Sequence, residues 1–167
     1  MKKFLIILAI SGGTIGILWL QMRLFANSAD SQPSNNFAAP SIVTAAETSF
    51  DFGKISMAKG KVNHEFSIKN SSPNPVTIQK LYSSCMCTTA SLLRNGKTTG
   101  PFGMPGHGGP IPTINEVLQP GEEASILAVF DPAAHGPAGV GPISRSVFAE
   151  NNASGTLKLD FQALVTP

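Results

Sequence analysis

A chain of 167 residues with a formal net charge of +2 is long enough for one ordinary domain with a real core, once an apolar N-terminal stretch is set aside. From Thr44 onward nine Lys and Arg face nine Asp and Glu, so no basic stripe exists to follow a phosphate backbone, and nucleic acid is excluded as a partner. Sixteen Gly and thirteen Pro, with no helical periodicity after the N-terminus, point to many short strands and turns.

The chain begins with Lys2 and Lys3, followed by an uncharged run from Phe4 to Leu20. As a helix this run spans ~26 Å, just short of a bilayer core. A positive start and an apolar run mark residues 1–28 as a signal anchor or a cleaved signal peptide. The run is long for a signal, which favours one N-terminal apolar helix that stays in the membrane. Ala26 and Ser28 are the small residues a cleavage site would need. Both readings put the remaining chain on the extracytoplasmic side, with the two lysines inside. It is secreted if the signal is cut. Gly12 and Gly16 form a pair that would let two anchors approach, although scattered small residues are the plainer account. Residues 29–43 are polar, carry two prolines and read as a flexible linker.

Residues 44–167 read as strands. Thr48 to Ile55 alternates at Phe50 and Phe52 and shifts at Gly53, as an edge strand with a bulge does. Lys61 to Lys69 is the cleanest alternation, with Val62, His64, Phe66 and Ile68 on one face. Asn70 to Pro75 is a turn by composition. Val76, Ile78 and then Leu81 to Thr89 form a third strand that runs through both cysteines. Asn95 to Pro112 holds six glycines and four prolines in eighteen residues and reads as irregular. Ile114 to Leu118 is a short strand, and Gln119 to Glu122 a tight turn. Ala124, Ile126, Ala128 and Phe130 recur at period two. Asp131 to Pro142 is a second Gly/Pro loop. Ile143, Arg145 and Val147 alternate against Ser144, Ser146 and Phe148, and Asn151 to Gly155 turns the chain. The last strand puts Leu157, Leu159, Phe161, Ala163 and Val165 inward. About seven strands at this spacing, without an amphipathic helix, predict an all-β, two-layer antiparallel sandwich.

At this point the chain resembles a known family. Phe50-Asp51-Phe52-Gly53-Lys54-Ile55, His64 to Asn70, Ser84-Cys85-Met86-Cys87-Thr88, Leu118 to Glu122 and Val129-Phe130-Asp131-Pro132 follow the order seen in the bacterial domain of unknown function 1573. The resemblance runs roughly from Ser49 to Val165. It implies an immunoglobulin-like sandwich, similar to the Hydin-type and major-sperm-protein-type domains, often exported and with no established activity. Met86 stands where the family usually has Gly, and the Asn95–Pro112 insert is unusual.

The chemistry candidates begin with Cys85 and Cys87, the two cysteines of the chain. At i and i+2 on a strand they share one face, with Cα atoms about 6.5–7 Å apart, at the upper edge of disulfide geometry. A mutual disulfide therefore needs a kinked backbone. Two thiolates on one face suit a soft ion such as copper(I) or zinc. Strand parity carries the Asn95–Pro112 and Asp131–Pro142 loops and the start of the His64 strand to the cysteine end. Met104 and His107 are then candidates to complete the shell, with His64 and His135 in reach. The plainer readings are a buried cysteine pair and a packed histidine. No nucleophile elbow, fixed carboxylate pair or phosphate-binding loop is present in the sequence.

Three functions follow as expectations. The first is an exported, membrane-tethered, non-catalytic binding or structural module with a protein partner at the cell envelope. The second is a soft-metal binding protein built on the Cys-x-Cys pair. The third is a thiol–disulfide protein.

Overall fold

The computed structural model describes residues 42–106, 110–153 and 155–167. The apolar N-terminal run, all but the end of the linker, and His107 lie outside the described residues. Among those described, no helix is long and apolar enough to cross a membrane.

Ten strands form two five-stranded sheets. In chain order they are β1 (Val43–Ala45), β2 (Ser49–Ser56), β3 (Val62–Asn70), β4 (Val76–Ser83), β5 (Thr88–Arg94), β6 (Lys97–Phe102), β7 (Glu116–Leu118), β8 (Glu123–Phe130), β9 (Gly141–Asn151) and β10 (Gly155–Thr166). The first sheet has the order β1-β3-β8-β5-β6 and the second β2-β10-β9-β4-β7. Two short 3₁₀ turns, Met57–Lys59 and Gly136–Gly139, are the other regular elements among the described residues.

The period-two runs become strands because each has one apolar face to bury. Phe66, Ile68, Leu92 and Ile126 from the first sheet meet Ile78, Leu81, Val147, Leu159 and Phe161 from the second, all at or below 1 % exposure. Each large side chain taken fully from water contributes about 1.5–3 kcal/mol before the entropy of ordering it is subtracted. The expected bulge is present. Asp51 and Lys54 pair with Gln162 and Leu164, so two residues of β2 face one of β10. Gly53 sits there at φ 65°, its N–H donating to Asp51 Oδ1 at 2.7 Å. A left-handed backbone of this kind favours glycine.

Four expectations are corrected. Among the described residues the strands number ten rather than about seven, and the sandwich is not wholly antiparallel, because edge strand β2 pairs parallel to β10. Val43, the last residue of the expected linker, is fully buried in β1, where it pairs with Asn70. The Gly/Pro-rich segment contains a strand: β6 folds back on β5 through Asn95 and Gly96, both at positive φ. Asn-Gly is the dipeptide best suited to a two-residue hairpin whose twist matches the strands.

The fourth correction concerns the site. Leu81 to Thr89 is not one strand. β4 ends at Ser83 in the second sheet and β5 begins at Thr88 in the first, so the cysteines occupy the crossover between layers.

One buried polar residue organises the opposite end. Asn70, fully buried, donates from Nδ2 to Asn74 O (2.8 Å) and Leu118 O (3.0 Å) and accepts from Ser72 N (3.0 Å). Its backbone N–H and C=O bond to Glu122 O and Gly121 N. The β3–β4 turn and the β7–β8 turn are thereby joined through one side chain and its own peptide groups.

Candidate functional site

The turn from Ser83 to Thr88 is held from four directions. Within it, Thr88 N donates to Cys85 O at 3.0 Å, and Ser83 Oγ lies 2.9 Å from Cys85 O and 2.7 Å from Thr88 O. Ser84 N donates to Ser146 O and Ser146 N donates to Ser84 Oγ, two bonds that fasten the turn to β9. Asp131 N donates to Cys87 O and Ser83 N to Gly103 O, bringing in the loops after β8 and β6. Ser83 and Thr88 are buried; the Ser83 hydroxyl serves backbone carbonyls that water cannot reach, and the Thr88 hydroxyl faces the Cys87 sulfur.

This tight turn supplies the kink a Cys-x-Cys disulfide needs. Cys85 and Cys87 are disulfide-bonded, with Cα atoms 5.3 Å apart, closer than two residues along a strand. The link closes a loop of only three residues. The loop-entropy relation assigns such a loop about 1.6 kcal/mol, against about 3 for fifteen residues. As a staple it is therefore weak.

The two sulfurs differ in surroundings. Cys87 is 3 % exposed, whereas Cys85 is half-buried. Cys85 Sγ lies 3.3 Å from His135 Nε2 and accepts from Cys87 N at 3.4 Å. Cys87 Sγ accepts from Arg145 Nε at 3.3 Å and lies 3.7 Å from Thr88 Oγ1. Arg145 is held in turn by Nη1 donating to Ser144 O at 2.8 Å. His135 is exposed, and a short ladder places it. Ala133 N donates to Asp131 Oδ1 and Gly136 N to Ala133 O, winding the loop back over the turn.

The expected cluster thus assembles in part. The donor atoms of Cys85, Cys87 and His135 lie within 4.8 Å of one another. Met104, half-buried, follows Gly103, whose carbonyl bonds Ser83 N, and so stands at the same end. His107 falls outside the described residues. His64 is placed elsewhere: its ring stacks on Phe50 at 3.6 Å, stands edge-on to Phe66 at 4.7 Å, and its Nε2 meets Glu47 Oε1 at 2.6 Å. In the disulfide form neither sulfur is the anionic donor a soft ion takes. Arg145 and Met57 are additions. Met57 approaches the His135 loop, its Cε 3.9 Å from where a Cβ on Gly139 would stand. Arg145 carried one signal in the sequence, a cation on the inward parity of an otherwise apolar strand.

Against this geometry, residues 43–101 match the profile of a family described as protein of unknown function, DUF1573. The resemblance read from the motifs stands on this stretch. The DUF1573 match includes both cysteines and ends within β6, so His135 and Arg145 lie beyond it. Among curated proteins none matches the sequence. A crystal structure of a protein of unknown function from Porphyromonas gingivalis W83 is 14 % identical, with a TM-score of 0.53. That likeness covers 77 % of this chain and 51 % of that one, so the chain spans about half of that protein's length, and it shows the fold alone. A PapD-like domain of human CEP192 gives 13 % identity over 75 % of this chain and 85 % of its own, at a TM-score of 0.46. The YadV chaperone gives 10 % identity over 75 % and 53 %, at 0.42.

Proposed function

We propose that this immunoglobulin-like sandwich is an exported, membrane-tethered module of the cell envelope. It binds a protein partner through the loop end that carries Cys85 and Cys87, and turns over no substrate. Lys2, Lys3 and the uncharged run from Phe4 to Leu20 support export and tethering. The balanced charge of residues 44–167 supports a protein partner rather than a polyanion.

One observation carries the choice of surface. Met86 is 54 % exposed at the tip of a turn whose shape is set by a disulfide, two serines and four backbone bonds. An unbranched thioether adapts to many surfaces, and a pre-shaped turn presents it without the entropic cost of ordering a loop. The same loop end carries a second exposed hydrophobic residue, Val140.

A photoreactive amino acid at position 86 in the full-length chain, expressed in cells, tests this reading. Cross-links to an envelope protein are expected there. They are not expected from position 164, where an exposed Leu lies on β10 instead. No cross-link at 86, together with turnover of a substrate lost in Cys85→Ser, would reverse the reading.

The second reading, a soft-metal site, is favoured by the 4.8 Å grouping of Cys85, Cys87 and His135. It requires the pair to be reduced first.

A further inference from the structure

We infer that the Cys85–Cys87 pair is a reversible thiol–disulfide exchange site in which the two sulfurs have different assignments. Cys85 is the sulfur an incoming thiol attacks, and Cys87 is the sulfur that leaves. Arg145 is a positioning residue for the leaving thiolate. The inference goes beyond the binding-module reading and does not depend on the module's partner.

Three observations carry it. The disulfide closes a loop of three residues and adds little as a staple, so stability alone does not account for it. Access is one-sided: Cys87 is buried under the turn, while Cys85 is half-buried beside the exposed His135. Charge is one-sided in the opposite sense. The Arg145 guanidinium donates from Nε to Cys87 Sγ at 3.3 Å, with Thr88 Oγ1 at 3.7 Å. Exchange runs fastest when the attacked sulfur is accessible and the leaving sulfur carries its new charge easily. Here those two properties fall on different sulfurs, in the order that exchange requires.

The co-reactant is a dithiol, small or on a protein. Its thiolate attacks Cys85 Sγ, forming a new S–S bond to Cys85 as the Cys85–Cys87 bond breaks. The electron pair goes to Cys87 Sγ, which becomes a thiolate facing Arg145. The second sulfur of the dithiol then attacks the first, closing its own disulfide and releasing Cys85. Two electrons and two protons pass from the dithiol to the pair, leaving two cysteine thiols and one oxidised partner. Run backwards, the reduced pair takes the oxidised state from a partner disulfide. The backbone bonds Thr88 N to Cys85 O and Asp131 N to Cys87 O involve no sulfur, so they hold the turn in both states.

The test uses the full-length chain equilibrated in reduced and oxidised glutathione at graded ratios, acid-quenched, alkylated and weighed. A reversible transition between disulfide and dithiol is expected. A pair that stays locked or stays reduced at every ratio overturns the proposal. For the assignment of sulfurs, Cys87→Ser and Cys85→Ser are each exposed to oxidised glutathione. Cys85 in the first variant is expected to form the mixed disulfide about tenfold faster than Cys87 in the second, since access governs attack. Equal rates overturn the assignment. Arg145→Gln is expected to slow reduction of the wild-type pair by glutathione about tenfold, the scale of one hydrogen bond to a charged group. Arg145→Lys, which keeps the cation, recovers most of that rate at unchanged melting temperature. If Arg145→Gln reduces as fast as wild type, the role given to Arg145 is wrong. If it does not fold, the rate of Arg145→Lys against wild type and the single-cysteine comparison decide. Cross-linking from position 86 is a separate readout, so failure here leaves the binding-module reading intact.

Discussion

Cys85 Sγ and His135 Nε2 lie 3.3 Å apart, although fifty residues separate them in the chain. One backbone bond explains the meeting. Asp131 N donates to Cys87 O at the point where β8 ends and β5 begins, and Phe130 and Thr88 are cross-strand partners there. The loop that follows Asp131 therefore starts at the cysteine turn, and its own bonds, Ala133 N to Asp131 Oδ1 and Gly136 N to Ala133 O, wind it back there. The loop after β6 arrives at the same end through Ser83 N and Gly103 O. The site is therefore a consequence of strand order, with the serine-fastened turn as its floor.

Removing the disulfide should change stability little. With both cysteines replaced by serine, the full-length chain is expected to lose about 1–2 kcal/mol in urea denaturation, the scale of closing a three-residue loop. The hydrogen bonds through Ser83, Ser84 and Thr88 continue to hold the turn. A loss above about 4 kcal/mol would make the bond a structural staple of the long-loop kind and weaken the case for exchange.

Asn70→Ala should cost far more than a surface change. The substitution deletes three hydrogen bonds and leaves the carbonyls of Asn74 and Leu118 and the Ser72 N–H to find new partners. A cost of about 2–4 kcal/mol is expected, from net losses near 1 kcal/mol per bond and a desolvation penalty for what stays buried. Asn70→Asp should be at least as harmful, because a carboxylate has no donors for the two carbonyls that the amide now serves. Urea midpoints of the three proteins check both, and a shift below about 1 kcal/mol for the alanine variant would refute the role.

These two sites differ in how far they could be read from sequence. The alternations of Lys61–Lys69, Ala124–Phe130 and Leu157–Val165 each gave a strand with the expected face inward, because one buried face leaves no freedom of register. The β4–β5 crossover was hidden because apolar and small residues continue from Leu81 to Thr89 without a Gly or Pro to punctuate them. Ser83 and Ser84, which fasten the turn, are poor breakers by type. β6 was hidden for the opposite reason: Gly100 and Pro101 sit inside a strand, which their composition argues against. Asn95-Gly96 is the signal in the sequence that marks this hairpin. At the site, the expected parity omitted β5 and β6; because that hairpin runs away from the cysteine turn and back, the loops of Met104 and His135 still lie at the cysteine end. His64 went elsewhere because Phe50 and Phe66 offer its ring a packed face, and Glu47 takes its Nε2.

Glu116 gives the pH dependence a named source. It is 8 % exposed, with Lys97 Nζ at 2.6 Å, Thr99 Oγ1 at 2.9 Å and Arg94 Nη2 at 3.5 Å. The Lys97 hydrogen bond, aided by Thr99 and by the charges of Lys97 and Arg94, holds its carboxyl below the usual Glu value of 4.5. A carboxyl lowered by folding stabilises the folded state above its unfolded value, and that stabilisation drains away as pH falls through the folded value. Wild type should therefore lose more stability than Glu116→Gln as pH drops from about 5 downward, and the two should run parallel above about 6. Because Asp51, Glu122, Glu150 and Asp160 are lowered as well, the difference between the two proteins is the quantity to follow. Parallel curves across the acid range would mean that the Lys97–Glu116 contact forms equally in the unfolded chain.

A soft ion should discriminate between the two redox states of the pair. Cys85, Cys87 and His135 present three donors within 4.8 Å, but the sulfurs become thiolate ligands only after the disulfide is reduced. Native mass spectrometry of the full-length chain with one equivalent of Cu(I) or Zn(II) should find no retained ion on the oxidised form and one on the reduced form. Cys85→Ser/Cys87→Ser should abolish retention, and His135→Ala should weaken it. The Arg145 cation beside Cys87 works against a second positive charge, so Arg145→Gln should tighten the ion while it slows thiol exchange. That pair of opposite effects separates the two chemistries at one residue. Met104→Leu then asks whether the thioether supplies a fourth donor: reduced retention assigns it one, and unchanged retention leaves Met104 as cover for the turn. If the oxidised and reduced chains hold the ion equally, the donors lie elsewhere and the soft-metal reading of this turn is wrong.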